Sequence, residues 1–209
     1  FVDLLRAEGK YQLLDTIPWI GGSECAGVVL AVGDGVTQLK PGDAVACLVR
    51  NCWAQQVCVP QDLAYRVREG ADLAAASALP AAYCTALYGL RERGQLKAGE
   101  TVLVLGAAGG VGMSAIQIAK QAGARVIAAA SSEEKLAFCR ELGADDTINY
   151  STQGLRERLK ELTSGQGPDV IYDPVGGPFT EPAFRSIAWR GRHLVVGFAA
   201  GDIPAVKIN

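Results

Sequence analysis

The sequence predicts an α/β fold in which a doubly wound parallel sheet follows part of a β-barrel. Two patterns support this prediction. From Thr101 onward, short apolar strands alternate with helical segments, which is typical of a parallel sheet with helices on both faces. Before Asp72, the apolar runs are short and are separated by Gly and Pro, which is typical of an antiparallel barrel or sandwich.

Composition narrows the possible functions. The chain has 209 residues, of which 49% are hydrophobic and 20% are charged, so it can bury a substantial core. The net charge of −2 argues against a nucleic-acid or membrane-surface role based on bulk charge. No apolar run approaches the roughly 18 residues that a membrane-spanning helix needs. We therefore expect no nucleic acid and no membrane among the partners.

The cysteine and histidine content indicates no metal site. The six cysteines form no C-x-x-C pair, and His193 is the single histidine. Cysteines scattered in this way suit a reducing compartment better than a disulfide framework. We expect a cytoplasmic protein, and mitochondrial targeting stays open because the chain does not begin with Met.

The secondary-structure elements follow from the spacing of apolar residues, Gly and Pro. In the first part, strands are expected at 25–32, 44–49 and 53–59, and helices at 72–79 and 80–90. In the second part, strands are expected at 101–105, 125–130, 146–149, 170–173 and 193–198, and helices at 110–121, 133–142, 155–162 and 179–189. Helices between consecutive strands indicate parallel pairing.

A glycine-rich loop lies between the first strand and the first helix of the second part. Gly109 and Gly112 occupy the second and third glycine positions of the dinucleotide fingerprint G-x-G-x-x-G, and Ala107 occupies the first. Small residues let the backbone approach a pyrophosphate, and the helix N-terminus offers N–H groups to its oxygens. Gly109, Gly110, Val111 and Gly112 are therefore candidate cofactor-binding residues.

The end of the next strand indicates which nicotinamide cofactor would bind. An NAD site usually has an acidic residue there, but Ser131 and Ser132 follow the strand and the first acid is Glu133. Lys135 lies one turn further and could pair with a 2′-phosphate, so the sequence favours NADPH. Ser131 and Glu134 also fit a capping box, S-x-x-E, at the start of the helix.

Two later strands end at the same edge of the predicted sheet. Ligands of open α/β sheets lie beyond the carboxyl ends of the strands. Gly176, after the fourth strand, and Phe198, after the fifth, are therefore further cofactor-binding candidates. A plain turn would explain the glycines at 176–177 equally well.

The glycine loop and the helix after it resemble a known family. Residues 107–112, followed by Ala115, Gln117 and Ala119–Lys120, resemble the A-A-x-G-G-V-G-x-x-A-x-Q-x-A-K signature of the zeta-crystallin-like quinone oxidoreductases. These form a zinc-independent branch of the medium-chain dehydrogenase/reductases. Further short motifs at 22–29, 40–45, 149–150, 173–177 and 191–197 extend the resemblance over the whole chain.

The resemblance implies two domains and a redox activity. Residues 1–85 would be part of a GroES-like catalytic domain with a linking helix, and 86–209 a Rossmann NADP-binding domain lacking its last strand. The implied activity is the NADPH-dependent transfer of hydride to a quinone or a related electron-poor enone. The family also implies a homodimer, joined through a strand that would follow Asn209, so we expect a longer enzyme.

The resemblance also implies roles for individual residues. Lys135 and Tyr150 would hold the 2′-phosphate, Thr85 would lie near the nicotinamide, and Tyr11 would line the substrate cleft. The alternatives are structural: Tyr150 could pack on the next helix, Thr85 could bond its own helix backbone, and Tyr11 could lie on the barrel surface.

The sequence departs from the family at several functional positions. The family's N-F-x-D motif is reduced to residues 1–3, without the Asn that lies beside the nicotinamide, and Leu5 replaces a Tyr found in some relatives. Ser23 stands where zinc-dependent relatives have a catalytic His, which agrees with a zinc-independent enzyme.

Three other functions stay open. The first is an enoyl-thioester or enone reductase of the same fold, and the second is a non-catalytic NADPH-binding protein. The third is a thiol sensor that uses Cys25, Cys52 or Cys58, although no basic residue adjoins these cysteines in the sequence.

Overall fold

The computed structural model describes residues 2–13 and 15–207. The chain divides into two compact units, Phe1–Ala82 and Tyr83–Asn209. Among the described residues, no helix has the length and apolar character needed to cross a membrane.

The first unit contains a small antiparallel sheet. Its strands are β1 (Cys25–Val28), β2 (Ala44–Cys47) and β3 (Ala64–Arg66), in the order β1-β2-β3. Its helices are α1 (Val2–Ala7), the short α2 (Leu73–Ala76) and the beginning of α3 (Pro80–Leu87), and a 3₁₀ turn precedes β3 at Gln61–Leu63. The side chain of Asp72 caps α2 by accepting a hydrogen bond from the amide of Ala74.

The strand expected at 53–59 is wrong, because the third strand is β3. Residues 53–58 are all exposed, so their apolar side chains face no core. Trp53 instead covers the backbone of Gly21 and Gly22, where a Cβ on Gly21 would lie 2.6 Å from Trp53 Cζ3. This packing of Trp53 on the glycines accompanies an irregular backbone at 53–59. The pattern of apolar residues in the sequence does not reveal it.

The second unit is a five-stranded parallel sheet with the order β6-β5-β4-β7-β8, which confirms the predicted doubly wound fold. The strands are β4 (Thr101–Leu105), β5 (Arg125–Ala130), β6 (Asp146–Asn149), β7 (Val170–Asp173) and β8 (Arg192–Val195). The helices after α3 are a π-helical turn (Tyr88–Arg93), α4 (Gly110–Gln121), α5 (Glu133–Glu141), α6 (Leu155–Leu162) and α7 (Thr180–Phe184).

The expected helix at 179–189 is shorter in the structure. A 3₁₀ turn at Gly177–Phe179 precedes α7, which ends at Phe184. The chain then leaves the helix, because the amide of Ala188 donates to the carbonyl of Pro168 at 3.0 Å. β8 also ends earlier than expected, at Val195.

The core lies in two layers, one on each face of the parallel sheet. Side chains of a strand point alternately to opposite faces, so Val102 and Val104 pack against α4 whereas Leu103 and Leu105 pack against α6 and α7. All four are fully buried. Because both faces of the sheet are covered, its buried strands consist of continuous apolar residues. Their bounds could therefore be predicted from the sequence.

Arg192 joins the start of β8 to the start of β4. Its guanidinium donates two hydrogen bonds to the Glu100 carboxylate, at 2.9 and 2.7 Å, and its Nε donates to the carbonyl of Gly94 at 2.7 Å. The paired hydrogen bonds from Arg192 hold the pKa of Glu100 below its usual value.

We expect Glu100→Gln to lower the free energy of unfolding by roughly 1–2 kcal/mol near pH 7, as for a charge-assisted pair. The folded pKa of Glu100 is depressed, so its contribution is complete above the unfolded pKa of about 4.3 and is lost as the pH falls through the folded pKa. Urea unfolding at several pH values should show the wild-type advantage shrinking below about pH 5. Glu92→Gln, at an exposed ion pair with Arg91, serves as the control and should change little at any pH.

Candidate functional site

The glycine loop joins β4 to α4 at the carboxyl edge of the parallel sheet. Gly106 has a φ of +56°, which favours glycine. A Cβ on Gly112 would lie 2.8 Å from Ala107 Cα and would overlap the carbonyl oxygen of Gly106. The first turn of α4 therefore packs against the loop backbone, at a distance that only glycine permits.

The N-terminus of α4 offers backbone donors beside this loop. Gly109 precedes the helix without a side-chain cap, and the first intrahelical bond runs from Met113 N to Gly109 O. The amides of Gly110, Val111 and Gly112 come before this bond and stand at the positive end of the helix dipole. The four predicted residues at 109–112 thus form one cradle that could hold an anionic group.

The loop after β7 lies against the glycine loop. A Cβ on Gly106 would lie 2.7 Å from Val175 Cγ2, so the Val175 side chain covers Gly106. Gly176 has a φ of +69°, and a Cβ there would lie 2.9 Å from Phe198 Cδ1. The structure therefore brings the two predicted residues Gly176 and Phe198 into contact. The contact between Val175 and Gly106 was not predicted from the sequence.

The residues predicted to hold a 2′-phosphate converge on Ser131, at the end of β5. Lys135 Nζ donates to Ser131 Oγ at 2.9 Å, and the Tyr150 hydroxyl hydrogen-bonds with Ser131. Burial raises the pKa of Tyr150, and this hydrogen bond opposes part of the shift. The Tyr150 ring also packs on Phe179, with centroids 4.2 Å apart. Tyr150 therefore packs through its ring and makes a polar contact through its hydroxyl.

The predicted capping box is wrong by one position. Ser132, not Ser131, caps α5, and its Oγ accepts a long hydrogen bond from the amide of Lys135 at 3.4 Å. The extended backbone of Ser132 places its side chain over the helix end. Ser131 is thereby left outside the cap, where it meets Lys135 and Tyr150.

The acid nearest this cluster is already engaged. The Glu133 carboxylate accepts a hydrogen bond from Asn149 Nδ2 at 3.0 Å and lies 3.5 Å from the guanidinium of Arg140. In contrast, Lys135 forms no ion pair with a carboxylate among residues 2–13 and 15–207. The site therefore presents an unneutralised cation beside Ser131, at the end of β5. The sequence did not reveal the bond between Asn149 and Glu133, which joins the end of β6 to the start of α5.

A surface cleft of about 660 Å³ adjoins the same edge. Tyr150, Gly177 and Phe179 line one part of it, and Arg156 and Arg185 line another. A planar group could extend from the Ser131 cluster into this space.

The first unit contains a polar network around Ser23. Ser23 Oγ donates to Asp3 Oδ1 at 2.8 Å and accepts from Arg6 Nη1 at 3.3 Å. Arg6 also donates to both oxygens of Asp15, and these hydrogen bonds lower the pKa of that carboxyl. The hydroxyl that replaces the zinc-branch histidine is thus fully engaged by neighbouring side chains.

The two predicted catalytic residues lie in different units. Tyr11 is half-buried just after α1 in the first unit, and Thr85 is exposed on α3 in the second unit. The roles of both residues stay predictions.

Three cysteines cluster in the first unit. Cys25 lies opposite Cys47 in the β1–β2 ladder. The thiol of Cys52, which is close enough to affect the pKa of Cys25, donates to the carbonyl of Glu24 at 3.1 Å. Burial raises the pKa of Cys25, and it raises that of Cys52 to about 11. Such thiols are poor nucleophiles at neutral pH, so the thiol-sensor alternative gains no support at these two positions. Within the described residues, no group of three or more His, Cys, Asp or Glu is arranged to hold a metal ion.

Comparison with known proteins agrees with this geometry. The model of the alcohol dehydrogenase GroES-like domain matches residues 1–88, and that of the zinc-binding dehydrogenase domain matches residues 110–209. A GroES-like domain followed by a dinucleotide-binding domain defines the medium-chain dehydrogenase class. Both domain models match this chain in that order, and the proteins similar to it include quinone oxidoreductases.

Individual relatives support this placement. A quinone oxidoreductase-like protein 2 homolog of Nematostella vectensis is 38% identical over the whole chain, which spans 58% of that protein. The quinone oxidoreductase of Pseudomonas syringae is 37% identical over the whole chain and 64% of its own length, with a TM-score of 0.89. The chain thus spans less than two thirds of these relatives.

Two further solved structures are informative about ligands and reactions. A mycobacterial protein solved in complex with NADPH is 33% identical over 99% of this chain and 65% of its own, with a TM-score of 0.89. The CurK enoyl reductase is 30% identical over 91% of this chain and 60% of its own, with a TM-score of 0.84.

We expect Gly112→Ala to lower the free energy of unfolding by about 1–3 kcal/mol, because the added methyl group overlaps the loop backbone. Gly110→Ala is the matched control in the same helical turn, where no atom lies within 4 Å of a Cβ. It should change stability by less than about 0.5 kcal/mol. Urea unfolding of both variants measures the difference, and equal stability of the two would contradict the close approach of α4 to the loop.

Proposed function

We propose that the protein containing this chain is an NADPH-dependent oxidoreductase that transfers hydride to a quinone or a related electron-poor enone. The observation that carries this proposal is the convergence of Lys135, Tyr150 and Ser131 beside the glycine loop. The quinone oxidoreductases among the similar proteins, and the one solved with NADPH, support it.

The residues present fit such a cofactor. Gly109 and Gly112 keep the cradle free of side chains, and the amides at the start of α4 would donate hydrogen bonds to the pyrophosphate oxygens. Lys135 and Ser131 would bind the 2′-phosphate, and Ser132 would lie beside it. Gly176 and Phe198 would border the cofactor further along the sheet edge.

When bound, NADPH supplies a hydride from C4 of its nicotinamide. The protein contributes orientation and preorganised polarity rather than covalent chemistry. In this proposal, Thr85 contacts the nicotinamide and Tyr11 contacts the acceptor. The proton that completes the two-electron reduction comes from solvent.

We further propose a homodimer. β8 has a strand neighbour on one side only within the described part of the chain, and Val195 is 64% exposed there. In this proposal, a further strand of the longer protein covers this apolar edge and joins two subunits.

We expect Lys135→Ala to weaken NADPH binding about tenfold or more, because a charge-assisted contact to phosphate is lost. NADH lacks the 2′-phosphate, so its affinity should change less than about twofold. Fluorescence titration with both cofactors measures the two dissociation constants.

Lys160→Ala is the matched control, because it removes the same charge from the last turn of α6. It should leave both affinities unchanged. An equal loss for NADPH and NADH in Lys135→Ala would refute the 2′-phosphate role.

The similarity to an enoyl reductase favours one alternative substrate, an enoyl thioester. Hydride transfer to an activated double bond would need the same cofactor geometry. The side chains that line the acceptor pocket would determine whether a quinone or an enoyl thioester is reduced.

Steady-state NADPH oxidation with 1,2-naphthoquinone and with a crotonyl thioester should separate these functions. We expect clear turnover with the quinone and little with the thioester, and the reverse would establish the alternative. Tight NADPH binding without turnover of either acceptor would instead indicate a non-catalytic binding protein.

A further inference from the structure

We propose that His193 is a positioning residue for the cofactor site, acting through Asp173 and Val175 on the glycine loop. The inference rests on the proposed function for its ligand. Its structural basis is a continuous series of contacts inside the second unit.

Asp173, at the end of β7, organises the loop that follows it. One carboxylate oxygen accepts hydrogen bonds from the amides of Val175 and Gly176, at 3.0 and 2.9 Å. The other accepts from Thr180 Oγ1 at 2.7 Å and lies 3.2 Å from His193 Nε2. Asp173 is only 1% exposed, and burial alone would raise its pKa, but these hydrogen bonds outweigh burial and hold the pKa below its usual value.

His193 supplies one of these four donors from the neighbouring strand. Its side chain is 8% exposed and lies beside the ring of Phe184, with centroids 6.0 Å apart. An ionised carboxylate only accepts, so the Nε2 atom carries the hydrogen. Nδ1 is buried and has no hydrogen-bond partner among the described residues. The imidazole therefore makes a single polar contact, and that contact is with Asp173.

The contacts continue from Asp173 to the cofactor cradle. The amide of Val175 is fixed by Asp173, and the side chain of Val175 covers Gly106. Gly106 begins the loop against which Gly112 packs. Removing the His193 hydrogen would leave the buried carboxylate with one donor fewer. The loop at 174–177 would then no longer be held in a single conformation.

This arrangement distinguishes positioning from simple core filling. An apolar residue could fill the space beside Phe184 and preserve the fold, but it could not donate to Asp173. We therefore expect cofactor affinity and loop order to depend on the donor, whereas global stability depends on the filled volume.

The experiment compares His193→Phe, which fills the space without a donor, with His193→Gln, whose amide nitrogen can replace Nε2. NADPH dissociation constants and hydrogen exchange of the peptide at 173–180 are measured on the protein and its variants. Pro174 and Pro178 have no amide hydrogen, so beyond Asp173 this peptide reports on residues 175–177 and 179–180.

We expect His193→Phe to raise the NADPH dissociation constant about tenfold and to speed exchange of the peptide at 173–180, but not of β5. His193→Gln should stay within about threefold of wild type in affinity. Thr180→Val removes another donor to Asp173 and should act like His193→Phe, which covers the case in which one variant fails to fold.

Tyr172→Phe is the matched control. It removes a hydroxyl from a fully buried neighbour on β7 that has no hydrogen-bond partner among the described residues, so affinity and exchange should stay unchanged. Unchanged exchange of the peptide at 173–180 in both His193→Phe and Thr180→Val would overturn the inference. Failure of the wild-type protein to bind NADPH would refute the proposed function instead, and the exchange data would still test the contacts.

Discussion

The backbone contact between the start of α4 and the turn after β4 is the constraint on which the second unit depends. Gly112 meets the backbone at residues 106–107 without an intervening side chain. This contact fixes the direction of α4, and α4 supplies the layer that covers one face of the sheet. The same contact leaves a surface of bare amides at the carboxyl edge. One steric requirement thus determines both the packing of the sheet and the place where an anion can bind.

The parallel sheet makes distant parts of the sequence neighbours at that edge. Ser131 follows β5, Tyr150 follows β6, and Val175 follows β7, and each contributes to one continuous surface. These residues meet because the carboxyl ends of parallel strands lie at one edge of the sheet. Residues that follow different strands therefore become neighbours there.

The sequence predicted the buried strands well and the exposed segments poorly. β4, β5, β6 and β7 have the expected bounds, because strands covered on both faces consist of continuous apolar residues between turn signals. The segment at 53–59 has the same apolar character, but Trp53 packs on glycines and no strand pairs with this segment among the residues that the structure describes. The cluster of Lys135 and Tyr150 followed from motifs. The bond from Asn149 to Glu133 joins the end of β6 to the start of α5, and the bond from His193 to Asp173 joins β8 to β7. Only the arrangement of the strands in the sheet reveals these two bonds.

The engagement of Glu133 has a consequence for the evolution of cofactor preference. The acid sits two residues beyond Ser131, but Asn149 on the next strand and Arg140 on the same helix hold its carboxylate. Substitution of Ser131 and Ser132 alone would keep the positive charge of Lys135. It would also leave the Glu133 carboxylate bound to Asn149 and Arg140. A switch from one dinucleotide to the other would therefore need coordinated replacements after β5, on α5 and on β6. A lineage of such proteins would cross that boundary rarely and through intermediates that bind both cofactors weakly.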